Sequence, residues 1–72
     1  MSGDAGSHLS AFEALYDDRD LRRIARRLHE DGIVTLGQLA GIGRSDLAAL
    51  ASRENVIKIE QVLTAFGLRL AP

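Results

Sequence analysis

The chain has 72 residues, 46% of them hydrophobic, with a formal net charge of −1, one proline and no cysteine. That bounds it to a single globular domain with a modest core, for which a stability of a few kcal/mol is ordinary. It excludes a disulfide framework and a thiolate metal site, and no apolar run approaches the roughly 18 residues of a membrane-spanning helix.

The first eight residues are small and polar, which predicts a disordered tail over residues 1–9 and one helical domain over residues 10–72. His8 belongs to that tail and has no companion ligand nearby. The N-terminus lacks the basic-then-apolar order of a secretory signal, so a cytoplasmic location is expected.

Ser10-Ala-Phe-Glu13 has the spacing of a capping box and starts a short helix over residues 11–16. Its apolar residues Phe12, Leu15 and Tyr16 fall on the side opposite to Leu21, Ile24 and Leu28. One straight helix cannot bury both sets, so a break is expected near Asp17-Asp18, with Asp17 capping the next helix. That second helix should run over residues 18–30, bury Leu21, Ile24, Ala25 and Leu28, and stop at a left-handed Gly32.

Charge is unevenly spread. Eight of the nine basic residues are arginine, and five of them lie between positions 19 and 27. Arg19, Arg22, Arg23, Arg26 and Arg27 share the face opposite to the buried stripe. The like-charge pairs Arg19/Arg23, Arg22/Arg26 and Arg23/Arg27 each cost roughly 0.2–0.5 kcal/mol in an isolated helix. Arg26–Glu30 and Arg27–Asp31 offset part of that. A stripe that repels itself is explained by an anionic partner, or by neutralisation from Asp17, Asp18, Asp20, Glu30 and Asp31. His29 reads as a surface histidine.

Ile33 and Val34 are expected to enter the core through a short extended link. Thr35-Leu-Gly-Gln38 repeats the capping box and opens a helix over residues 36–40. Gly41 and Gly43 are expected to turn the chain with positive φ around a core plug, Ile42. A further helix follows over residues 46–52, burying Leu47 and Leu50. Asn55 should cap the last helix, whose buried arc is Val56, Ile59, Val62, Leu63 and Phe66. Gly67 should stop it, after which Leu68 and Leu70 fold back.

Gly41-Ile42-Gly43, followed by Leu47 and Leu50, has the outline of a helix-hairpin-helix. In such a turn backbone N–H groups point outward and grip phosphate. The other reading is a tight corner and nothing more. No triad, metal cluster or nucleotide loop is visible, and no enzyme activity, cofactor or small-molecule substrate is expected.

A broader pattern covers positions 23–70. Leu28-x3-Gly-Ile33-x-Thr-Leu-Gly-Gln-Leu39, Ser45-Asp-Leu47 and Ile59-x2-Val-Leu63-x3-Gly-Leu-x-Leu70 resemble the C-terminal domain of the bacterial RNA polymerase alpha subunit. The resemblance implies an all-α bundle of short helices related to helix-hairpin-helix folds. It also implies contact with the AT-rich minor groove and docking of transcription regulators. The family's DNA-contacting arginine falls on Arg23, and an asparagine of the family falls on Arg26. Its second phosphate-contacting hairpin falls on Ala51-Ser-Arg-Glu-Asn55, where Arg53 alone is basic.

The expected fold is therefore a bundle of about five short helices, with SAM-type interaction domains as the alternative. The expected function is duplex DNA binding in transcription or nucleoid organisation. Arg19, Arg22, Arg23, Arg26, Arg27 and Arg53 would neutralise phosphate, and Gly41, Gly43, Arg44 and Ser45 would add donors at the turn. The competing reading is a protein-interaction module whose arginine face meets an acidic partner. A third is a structural or oligomerising domain whose arginines bind nothing in particular.

Overall fold

A computed structural model describes residues 6–71, and within them five α-helices are joined by turns of a few residues. They are α1 (Ala11–Ala14), α2 (Arg19–Glu30), α3 (Leu36–Ala40), α4 (Arg44–Leu50) and α5 (Arg53–Ala65). No β-strand occurs among the described residues, only isolated bridges from Ser10 to Thr35 and from Gly43 to Ala71. No described helix is long and apolar enough to cross a membrane.

The expected break between the first two helices is present, because their apolar sets need opposite sides. Leu15 is buried at the end of α1, and the chain turns before Asp18. Asp18, not Asp17, caps α2. Its carboxylate accepts from the backbone N–H of Asp20 at 2.9 Å and of Leu21 at 3.1 Å. The buried stripe is Leu21, Ile24, Ala25 and Leu28. Gly32 stops the helix with φ +89° and Gly67 ends α5 with φ +77°, a conformation that a side chain makes costly.

The capping box at Thr35 is complete. Thr35 Oγ1 accepts from Gln38 N at 3.2 Å, and Gln38 Oε1 accepts from the N–H groups of Val34 and Thr35. At Ser10 only the hydroxyl half forms, accepting from Glu13 N at 3.4 Å. Leu36, Leu39, Leu47, Ile59 and Leu63, contributed by α3, α4 and α5, are fully buried in the one hydrophobic core.

Several expectations are corrected. Gly41 has φ −75° and Gly43 has φ −65°, so neither adopts a left-handed conformation. Gly41 is simply the right-handed end of α3, and Gly43 is an extended residue before α4. That helix starts two residues earlier than expected and buries Leu47 alone, leaving Leu50 41% exposed at its end. Ser52, not Asn55, caps α5, its hydroxyl accepting from Asn55 N at 3.2 Å. Arg53 is therefore the first residue of a helix rather than part of a hairpin. Phe66 lies just past α5 and is 39% exposed. Val34 is equally exposed, because it lends backbone rather than side chain: its carbonyl accepts from Ala11 N at 2.8 Å.

The expected tail lies outside the described residues for positions 1–5. Gly6–His8 form a 3₁₀ turn, and the Leu9 carbonyl accepts from Leu36 N at 2.9 Å. The turn is tucked in by close backbone approach. A Cβ on Gly6 would stand 2.8 Å from the Cβ and carbonyl oxygen of Phe66, and one on Gly37 would stand 3.0 Å from Ser7.

Candidate nucleic-acid interface

Burial of its apolar stripe fixes which face α2 shows to solvent. At about 100° per residue, Arg22 and Arg27 flank the stripe while Arg19, Arg23 and Arg26 point furthest from the core. The two flanking arginines find partners in the protein. Arg22 is half-buried, donates from Nη1 to the Tyr16 carbonyl at 3.1 Å, and lies 4.7 Å over the Tyr16 ring. Tyr16 in turn meets Phe12 edge to face at 5.6 Å. Arg27 pairs with Asp31 at 4.0 Å, one helical turn on.

Arg19, Arg23 and Arg26 are exposed, and none has an ion pair or side-chain hydrogen bond among the described residues. Two of the carboxylates expected to neutralise them are engaged elsewhere, Asp31 by Arg27 and Asp18 by Lys58. Asp18 is taken up by the helix cap and by Lys58 Nζ at 3.2 Å, which ties the start of α2 to α5. The Leu21 N–H and then Lys58 hold the Asp18 carboxyl below the usual aspartate range. Asp18 in turn raises the Lys58 ammonium above its ordinary value. Arg26 and Glu30 do not pair. Both instead line a groove of about 420 Å³ between α1 and α2 with Ser10, Phe12, Glu13 and His29. Arg19, Arg22, Arg23 and Arg26 together rim a depression of about 210 Å³. Helical spacing thus gathers four of the five expected α2 residues around one small basin.

The Gly41–Ser45 corner is a different kind of place. The Gly41 N–H donates to the carbonyls of Gly37 and Gln38, and the Ile42 N–H to Leu39. The Arg44 N–H donates to the Ala71 carbonyl at 3.1 Å, while the Ala71 N–H donates to the Ala40 carbonyl at 2.9 Å. Carbonyls of α3 take the Gly41 and Ile42 donors, and the chain's own C-terminal segment takes the Arg44 N–H, donors that a phosphate-gripping hairpin would present. The Arg44 guanidinium is ion-paired with Glu60. Ser45 lines a groove of about 690 Å³ with Arg44, Ala48, Arg69, Leu70 and Ala71. This groove shares no residue with the α2 basin. Arg53 stands exposed at the start of α5 and lines neither the α2 basin nor this groove.

Arg69 is the basic residue that sequence reasoning missed. The signal was there: Leu68 and Leu70 turn inward in an extended segment, so the residue between them turns outward. No cluster of three His, Asp or Glu side chains that could hold a metal ion occurs among the described residues. Compared with known proteins, the chain matches no family model, and no curated protein or solved structure is significantly similar to it.

Proposed function

We propose that this chain is a duplex DNA-binding domain acting in transcription or nucleoid organisation, and that its contact surface is the outer face of α2. The observation that carries the reading is the set of three arginines, Arg19, Arg23 and Arg26, held on one exposed helix face with no carboxylate partner among the described residues. Like charges at helical spacing are unfavourable until an anion arrives. Arginine forks suit phosphate oxygens, and the three unpaired ones follow a helix that packing against α5 keeps fixed. The resemblance to the polymerase alpha C-terminal domain, which puts the family's DNA-contacting arginine on Arg23, supports the same reading.

Three phosphate contacts give a log–log dependence of affinity on salt of about −3. Fluorescence anisotropy with a short AT-rich duplex at two salt concentrations measures it. Absence of salt-sensitive binding at micromolar protein rules the reading out.

One observation favours a second reading, a protein-interaction module. The Phe12 groove adjoins the basin through Arg26, which lines both. An acidic segment with one apolar side chain would find an anchor beside positive charge there. Loss of a protein partner in Arg23→Glu/Arg26→Glu, with unaltered DNA behaviour, selects this reading.

A further inference from the structure

A second pair of arginines, Arg44 and Arg69, faces a groove that no α2 arginine enters. From its construction we infer that this groove is a second anion site, taking one phosphate group of a nucleic-acid backbone independently of α2. The inference rests on the nucleic-acid reading of the domain.

The two arginines come from segments tied together by backbone hydrogen bonds. Arg44 opens α4, and its N–H donates to the Ala71 carbonyl. The Ala71 N–H reaches back to the Ala40 carbonyl. Leu70 is buried between them, 7% exposed, and this anchors the extended segment with Arg69 on its outer side. Both guanidinium groups are thus mounted on one ladder rather than on free chain.

The groove between them is lined by Ser45, Ala48, Leu70 and Ala71. A second depression, of about 260 Å³, adjoins it through the same Arg44, Arg69 and Leu70 and adds Glu60 and Thr64. Among the described residues Glu60 is the only carboxylate lining either of them, and it is paired with Arg44. Arg69 has no ion pair among the described residues. The Arg69 fork, beside an Arg44 fork shared with Glu60, leaves an excess positive charge among the described residues and unspent donors for a tetrahedral group. Among the described residues no aromatic side chain lines the groove, and its apolar walls are two alanines and Leu70. That removes the large anchor pocket on which peptide recognition depends. Ala48, one helical turn after Arg44, leaves the space open.

The test is an amide chemical-shift titration of the full chain with a short AT-rich duplex, run on the native sequence and on Arg23→Glu/Arg26→Glu. The Ala48, Arg69 and Leu70 amides should shift in both. In Arg69→Glu those shifts should vanish while the α2 amides still respond. Glu60→Gln frees Arg44 from its carboxylate, and binding at the groove should tighten by about two- to five-fold. In Ala48→Glu, a carboxylate placed in the groove should abolish the response without touching either arginine. Unmoved groove amides, or equal shifts in Arg69→Glu, overturn the second site. So does a groove that responds to poly-glutamate and not to duplex, which would mark an acidic protein partner. Silence at α2 with shifts in the groove removes the α2 reading alone. Silence in the groove with shifts at α2 removes the second site alone.

Discussion

The outer face of α2 and the Gly41–Ser45 corner carry similar promise on paper and differ in what the fold leaves unspent. Around the corner, the amides of Gly41, Ile42 and Arg44 donate to carbonyls of the protein, and the Arg44 side chain is paired. On α2, two arginines at the edges of the stripe are taken by Tyr16 and Asp31, and three at its crest are not. A donor that folding has already satisfied must give up that bond before it contributes to recognition, whereas an unspent one need not. The proposed DNA contact therefore rests on the crest arginines rather than on the glycine turn.

The largest expected effect comes from releasing the C-terminal segment. Leu70→Ala removes a buried side chain that pins Ala71 to the corner, and should cost about 2–3 kcal/mol in chemical denaturation. A loss of only a few tenths would show that the corner is closed by something else. Next comes Arg23→Glu/Arg26→Glu, which should weaken duplex binding by more than about tenfold and reduce the salt slope by about 2. Both side chains are exposed, so the thermal midpoint should hold.

The glycines sharpen the contrast further. Gly67→Ala forces a side chain onto φ +77° and should destabilise by about 1–2 kcal/mol. Gly41→Ala places a Cβ at φ −75°, 3.4 Å from the Gln38 carbonyl oxygen, and should be neutral or stabilise by about 0.4–1 kcal/mol. If Gly41→Ala instead abolished DNA binding with stability intact, the glycine turn would regain its place in the contact.

The smallest effect is electrostatic. The Asp18 carboxyl is held below its ordinary value, so its contribution is present above the unfolded pKa and fades as pH falls through the lower, folded one. Lys58 is raised, so its contribution is present below its unfolded pKa and fades as pH climbs through the higher, folded one. Thermal midpoints should therefore decline at both extremes, and Lys58→Met should blunt the alkaline decline.

Much of the helix order was legible from 3.6-residue periodicity and capping chemistry. The Thr35–Gln38 box, the Gly32 and Gly67 stops and the break before α2 all follow from local rules that packing did not overrule. The cap positions Asp18 and Ser52 were each displaced, because two acceptors compete near those starts and only packing chooses between them. The wedge of Gly6 against Phe66 and the Ala71 ladder were not legible, since both are long-range backbone contacts without side-chain periodicity. The arginine face could be read, and so could the Arg27–Asp31 pair, but the Arg22 contact with Tyr16 and the absence of an Arg26–Glu30 pair could not. Asp18, one of the carboxylates expected to neutralise the face, turns toward Lys58 instead, and that depends on where α5 lies.

The most direct measurement is the salt dependence of duplex affinity by fluorescence anisotropy, taken for the native chain, Arg23→Glu/Arg26→Glu and Gly41→Ala. The expected slope for the tighter binding event is about −3 in the native chain and in Gly41→Ala, and about −1 in the double variant. A native chain with no salt-sensitive binding, or a Gly41→Ala slope that collapses while the double variant keeps its own, would contradict the assignment of the contact to α2.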